Sequence, residues 1–403
     1  MKKQEAITLI ALVIIIIILI ILAGVSINML VGENGIITQA QKAKEDTEKA
    51  KIEEEQAMNL LYDTIMTEGR VNVVDKTVEQ IKEEGNYVVG NTQIKESKGN
   101  KVVIPDGFKI AVDSGNNVSE GIVIEDRDLS IDGNGENRGN QFVWVPVGNI
   151  IKADGTQTTI TLGRYTFAAD GTETLVQSSE NYLEQTAIGN YKELIETRIS
   201  NESNGADATN TTARNLKGFI DSVKINGGYY IARYEAGYRD GTKPYSKVST
   251  GIPATTVDTE KTSGMIWNFV TQPIAAQACK NMYSSYNYET DLINSYAWDT
   301  AISYIQKCSE NANYSRKSAI SASINNTGVS KDEICKINDM AANAIEWTTE
   351  YTTYILNNKA NPCSIRGGTC YNPTNTYPSF RGYSMVMNYE TIDVSFRSML
   401  YIL

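Results

Sequence analysis

The chain has 403 residues, with 37 Lys and Arg against 48 Asp and Glu, five Cys and no histidine. Without an imidazole there is no Ser-His-Asp or Cys-His relay and no His-ligated zinc or iron, so proton transfer falls to carboxylates, Lys, Tyr or Cys. A formal charge of −11 argues against a phosphate-tracking nucleic-acid binder, and 41% hydrophobic with 21% charged residues describes a folded chain, long enough for one large domain or two ordinary ones.

Residues 6–25 (AITLIALVIIIIILIILAGV) hold twenty positions without a charge. That is about 30 Å of helix, the thickness of a bilayer core, and predicts a single-pass transmembrane helix. A secretory signal peptide is the competing reading, but the run exceeds a signal core and no small-residue cleavage site stands before the polar stretch. Lys2 and Lys3 stay cytoplasmic by the positive-inside tendency, which puts the C-terminal domain outside the cell. A basic leader, small Ala6 and an aliphatic helix at the extreme N-terminus resemble the type IV pilin-like segments of Firmicutes surface proteins. The resemblance implies processing between Ala6 and Ile7. Ala11 then occupies the fifth mature position, where the family carries an assembly glutamate, and Gly32-Glu33-Asn34-Gly35 makes a turn where a pilin helix runs on.

After this anchor (1–31), residues 32–68 read as a helical stalk. Ile36, Ala43, Ala50 and Ala57 recur seven apart, with Ala40 and Leu61 on the adjoining seam and Thr47 and Glu54 weakening it. Two readings stay open: a helical contact between neighbouring anchors, or a solvated spacer. Residues 69–100 read as a connector with strands and one short amphipathic helix at 78–84. From 101 onward, β-branched and aromatic runs separated by Gly, Asn and Asp turns predict an α+β domain. Strands are expected at 101–104, 108–112, 121–124, 142–147, 158–162 and 228–234, helices at 273–283 and 295–308, and an exposed polar loop at 201–212.

Five segments occur in order: FVWVPV (142–147), GGYYIARYEAG (227–237), NDMAANAIEWTTE (338–350), IRGG (365–368) and SFRSMLYI (395–402). Together they resemble the formylglycine-generating-enzyme or sulfatase-modifying-factor superfamily, and LGRYTF (162–167) resembles a version carried on pilin-like anchors. The resemblance implies a C-type-lectin-like fold over 101–403. The residues make structural sense on their own terms. FVWVPV is apolar on both faces and predicts a buried strand; Arg233, Glu235 and Arg366 suit internal ion pairs; Trp267, Trp298 and Trp347 suit the core.

Family members that oxidise cysteine to formylglycine hold copper(I) with two cysteines, five apart, shortly after RGGS. Here Cys370 falls two positions early, and Asn375 stands five residues beyond it. Cys363 is open to a disulfide with Cys370 or an off-pattern metal pair, and Cys279, Cys308 and Cys335 to small core roles or a second disulfide. No catalytic residue is assigned. The resemblance also implies a structural calcium at the Asn-x-x-Glu-Trp loop, for which Asp339, Asn343 and Glu346 offer hard oxygen ligands; alternatively Asn343 shapes a turn and Glu346 is bonded in the core. No other cofactor is expected.

The chain carries 23 Tyr, crowded with Asn, Ser and Thr at 281–296 and 370–390. Tyr gives rigid amphipathic contact area and Asn adaptable hydrogen bonds, the chemistry of antibody paratopes. In lectin-like folds the residues between RGG and the last strand form the binding face, which makes Tyr371, Asn372, Asn375, Tyr377, Tyr383, Asn388 and Tyr389 the candidates. The same arrangement resembles the variable proteins of diversity-generating retroelements. Ordinary loops from an AT-rich genome are the alternative. The reading is a cell-membrane-anchored, non-catalytic adhesion protein for a protein or glycan on another surface, with self-association through stalk or pilus-type contacts left open beside the solvated spacer. An extracytoplasmic oxidase and a minor pilin are the alternatives.

Overall fold

The computed structural model describes residues 13–20, 39, 42–44, 47, 71–195, 215–283, 285, 287–318, 323–352, 355–356, 359–360, 363–382 and 389–403. The chain divides into two units, Met1–Gly69 and Arg70–Leu403. In the first, residues 13–20 are helical with every side chain exposed, and Thr47 Oγ1 donates to the Ala43 carbonyl at 2.6 Å. The rest of the anchor and stalk, with Ala6, Ile7 and most of the heptad positions, lies outside the described residues. Among those described, no helix is long and apolar enough to cross a membrane.

The second unit is mixed, mostly sheet with few helices. It opens with Val71–Thr77 (β1), helix Val78–Glu84 (α1), Asn91–Lys95 (β2) and Lys101–Ile104 (β3). Thr77 and Gln80 form a reciprocal capping box and Gly85 ends α1 in the left-handed region at φ 64°. Val78 and Ile81, one turn apart, are buried in the same core as Ile94 and Val102. The stretch 69–100, read from the sequence as a connector, therefore supplies two strands and a helix to this unit. β1 pairs in parallel with β2, and β2 antiparallel with β3.

Next come Lys109–Ile110 (β4), Val123–Glu125 (β5), Gln141–Pro146 (β6), Gly163–Phe167 (β7), Glu173–Ser178 (β8) and Tyr191–Lys192 (β9). Helix Leu216–Asn226 (α2) leads to Gly228–Ala232 (β10), then Gln272–Asn281 (α3), Tyr288–Leu292 (β11) and Ser295–Cys308 (α4). The chain closes with Ile345–Thr352 (β12), Cys363–Arg366 (β13), Val394–Phe396 (β14) and Ser398–Ile402 (β15). The expected strands at 108–112, 121–124 and 158–162 shift or shorten to Lys109–Ile110, Val123–Glu125 and Gln157–Ile160.

The largest sheet is antiparallel in the order β11-β15-β10-β6-β5-β4, so the last strand of the chain is inserted between two earlier ones. All six residues of β6 are buried, as a strand apolar on both faces requires. Trp144 packs on Tyr230 with centroids 5.0 Å apart. It leaves no room opposite: a Cβ on Gly228 would lie 2.4 Å from Trp144 Cζ2 and 2.6 Å from the Val145 carbonyl. The second sheet runs β9-β12-β13, with β14 parallel to β12. Since β14 and β15 are separated only by Arg397, one continuous stretch passes from the second sheet into the first.

Helix α4 is capped by Asn294, whose side chain accepts from the Ala297 amide, and it buries residues on nearly every face. Helix α2 had no counterpart in the sequence reading; it is short, follows a polar run, and is fixed by burial of Leu216, Phe219, Ile220 and Val223. The tyrosine-rich stretch 281–296, read as surface, is a correction. Tyr283 and Tyr288 pack edge-on against Phe108 at 5.6 and 5.5 Å, and Tyr296 is fully buried. Tyrosine can serve a core when a partner meets its hydroxyl: Tyr283 bonds Asp126 at 2.6 Å and Tyr229 the Ala297 carbonyl at 2.6 Å.

Candidate binding face

The segment that carries the candidate residues leaves β13 through Gly367 and Gly368. Gly367 has φ 96°, and a Cβ on Gly368 would sit 2.2 Å from the Ala341 carbonyl, so the IRGG turn can press against the 338–344 loop only as glycine. Beneath it lies a buried network. Arg366 meets Asp299 and Glu350, Arg164 meets Glu350 at 2.7 Å, and Arg381 meets Asp299 and, at 3.1 Å, Glu350. Three guanidinium groups thus share two carboxylates, and carbonyls of Thr186, Tyr191 and Phe380 take further donors. Burial alone would raise the Glu350 pKa, but Arg381, Arg366 and Arg164 hold it down to about 2.

A second buried network joins three of the sequence motifs. Arg397, at the crossing between β14 and β15, pairs with Glu346 of β12 and donates to the Asn338 and Ala232 carbonyls at 2.9 and 3.2 Å. Glu235 accepts from Asn343 Nδ2 and, at 2.8 Å, from the Ala344 amide. Burial, then the charges of Asp339 and Glu346, push the Glu235 carboxyl well above the usual range. Arg233 pairs with Asp113 at 2.6 Å and Glu333 at 3.0 Å. The internal roles expected for Arg233, Glu235 and Arg366 are what the geometry contains, although Glu235 takes hydrogen bonds rather than a direct ion pair.

The residues read as calcium ligands have these partners too. Asp339 accepts from Thr327 Oγ1 at 2.8 Å, from the Gly328 amide at 2.6 Å and from Ser330, while Asn343 Oδ1 accepts from the Asn325 amide at 2.8 Å. Asp339 and Asn343 adopt left-handed φ values of 67° and 61°. Among the described residues, no three His, Cys, Asp or Glu side chains are grouped to hold a metal ion.

All five cysteines are buried and none is in a disulfide, so the disulfide considered for Cys363 and Cys370, and the second one among the others, are absent. Cys363 packs with Trp267 and Trp347, Cys370 in a separate cluster with Ile266, Ile324 and Ala344. Burial pushes the Cys370, Cys308 and Cys335 thiols up to about 12 and Cys279 higher still.

Of the seven candidate face residues, the structure brings three together in the open. Tyr371 is 49% exposed, Asn372 and Asn375 are exposed, and Asn375 Nδ2 donates to Asn372 Oδ1 at 2.9 Å. The Thr376 hydroxyl closes this turn onto the Asn372 carbonyl at 2.8 Å, and the Cys370 amide anchors its start on the Asn343 carbonyl at 2.9 Å. Tyr377 is half-buried, 6.1 Å from the Phe380 ring and covered by the Arg316 guanidinium at 4.3 Å. Tyr389 is half-buried against Trp347 at 6.2 Å. Tyr383 and Asn388 lie outside the described residues. Sequence reasoning missed Asp299, Glu350 and Arg381 in the supporting network and Thr369 and Asp393 beside the turn. Arg366 and Asp299 stand 67 residues apart, Arg164 and Glu350 186 apart, and no local spacing carries such pairs.

No family model matches the chain, and no curated protein matches it. Among solved structures it is similar to the "Major Tropism Determinant M1 Variant", 11% identical, TM-score 0.31, covering 83% of this chain and 98% of that one. The I1 variant (11%, TM-score 0.30, 83% and 99%) and the P3c variant (12%, TM-score 0.28, 82% and 99%) are similar to the same degree.

Proposed function

We propose that the chain is a non-catalytic binding protein of the cell surface. In this reading residues 6–25 anchor it in the membrane, and a C-type-lectin-like domain of the formylglycine-generating-enzyme type presents the 371–375 turn to a partner. The observation that carries the reading is the contrast between that turn and its base. Tyr371, Asn372 and Asn375 project together into solvent, while the segment holding them is tied down by buried Arg366, Asp299 and Glu350. Adaptable contact residues on an over-determined scaffold are the arrangement binding loops use. The non-catalytic reading is supported by the same geometry, since the buried Arg and acidic side chains of the motifs answer one another.

The test is binding by the full-length protein in detergent micelles, applied to a glycan array and to intact bacterial and animal cells. The triple substitution Tyr371→Ala, Asn372→Ala, Asn375→Ala should abolish binding while leaving the unfolding midpoint in place. Binding unchanged by the triple substitution overturns the reading. If the face is also diversified by a retroelement, codon changes among sister strains should concentrate at Tyr371, Asn372 and Asn375 and spare Tyr377 and Tyr389, whose rings are packed. Invariance at all three exposed positions removes that part.

A further inference from the structure

The turn that carries Tyr371 is coupled to a charge. The Thr369 hydroxyl donates to Asp393 Oδ2 at 3.3 Å and accepts from the Tyr371 amide at 3.4 Å, so one side chain ties the carboxylate to the root of the aromatic turn. Asp393 is half-buried, and its own carbonyl is fixed by the Ile345 amide at 2.8 Å. Among the described residues its carboxylate is in no ion pair and takes no hydrogen bond other than that long one from Thr369. Glu390, exposed and three residues earlier, adds a second negative charge; Lys261 is within electrostatic reach of Glu390. Both neighbouring rings feel Asp393: burial and then this carboxylate raise the Tyr389 hydroxyl, and burial, Cys370 and Asp393 raise that of Tyr371.

A half-exposed carboxylate without a cation, beside an aromatic ring that is half open to solvent, presents two attractions to one positive charge. The ring face draws a cation through its quadrupole and the acid through a charge-assisted hydrogen bond. The paired Asn372 and Asn375 amides keep a donor and an acceptor free between them for the backbone on which that cation is carried. The net charge of −11 favours encounter with a basic surface.

We propose, resting on the binding reading above, that this face docks a basic segment of a partner protein. An Arg or Lys side chain lies on the Tyr371 ring with its charge on Asp393. The partner's main chain bonds the Asn372–Asn375 pair, and Glu390 holds a neighbouring basic residue at the rim.

The test uses full-length protein in detergent micelles, with fluorescent hexa-arginine and hexa-citrulline peptides as probes, at physiological salt so that distant charges are screened. Hexa-arginine should bind and hexa-citrulline should not. Asp393→Asn should weaken hexa-arginine binding about tenfold, the size of one charge-assisted contact. Tyr371→Ala should weaken it similarly. Asp170→Asn, an exposed acid on another loop, should change nothing. Equal loss in Asp393→Asn and Asp170→Asn means diffuse attraction to an acidic surface and overturns the proposal. Binding of a neutral glycan that is lost in the triple turn variant but kept in Asp393→Asn also overturns it while leaving the binding reading intact. Hexa-arginine binding that no turn variant weakens, together with cell and glycan binding that the triple turn variant leaves intact, overturns both. Asp393→Asn removes one charge and no volume, and its unfolding midpoint, unchanged from the parent, separates lost binding from lost fold.

Discussion

Glu350→Gln offers a quantitative check on the buried network under the face. Glu350 is wholly buried, and its pKa stands at about 2 against an ordinary 4.5. A depression of that size corresponds to about 3 kcal/mol of folding free energy. Because the folded pKa lies below the unfolded one, this stability is fully present above pH 4.5 and is lost as the pH falls toward 2. With glutamine in place, Arg366 and Arg381 keep Asp299 while Arg164 loses the carboxylate it pairs with, the situation in which breaking a buried pair costs about 3–5 kcal/mol. Urea unfolding followed by tryptophan fluorescence, at pH 7 and again near pH 2, measures both. The variant should be weaker than the parent by about 3 kcal/mol at neutral pH, with the gap closing in acid as the parent's own carboxylate takes up a proton. A gap of the same size at both pH values would mean that the loss comes from packing, and would refute the electrostatic account of Glu350.

Gly228→Ala should cost about 1–3 kcal/mol or more in a chemical-denaturation experiment, since its Cβ has to displace Trp144 and a β6 carbonyl; a neutral result would mean that the strand pair is more pliant than its geometry. The raised carboxyl of Glu235 acts with the opposite sign to Glu350: its contribution is present below the unfolded pKa and is lost as pH rises through the folded one. Glu235→Gln should therefore flatten the fall in stability as pH rises above the ordinary carboxyl value of 4.5, and a parent-like slope there in thermal melts would count against it. Cys370 should resist iodoacetamide in the native protein at pH 8 and react once urea unfolds it, as a buried thiol raised to about 12 requires; labelling at the rate of a free thiol would contradict its burial. Tyr371→Ala should leave stability within about 0.5 kcal/mol of the parent, as substitutions of exposed loop residues do.

Much of the fold was legible because it rests on local patterning. The apolar-on-both-faces run at 142–147 could only be a buried strand, and the three- and four-residue apolar spacing after Asn294 could only be a helix packed on several sides. The short turn of Val78 and Ile81 is visible in the same way. What the pattern did not reveal was membership: whether 69–100 joins the domain depends on Val78 and Ile81 finding Ile94 and Val102. It also left the tyrosines ambiguous, because a phenol suits a core as well as a surface once its hydroxyl is met.

The sequence by itself determined an α+β chain without histidine chemistry, with glycines where two segments press together and with arginines and acids that needed internal partners. Tertiary structure alone decided which partners those were. Arg366 finds Asp299 and Glu350, Arg397 finds Glu346, and Asp393 finds no cation among the described residues, although nothing in the composition sets it apart from the other acids. The physical reason is that Coulomb attraction and desolvation act through space, over distances that only the folded backbone sets, whereas helix and strand propensities act between neighbours along the chain.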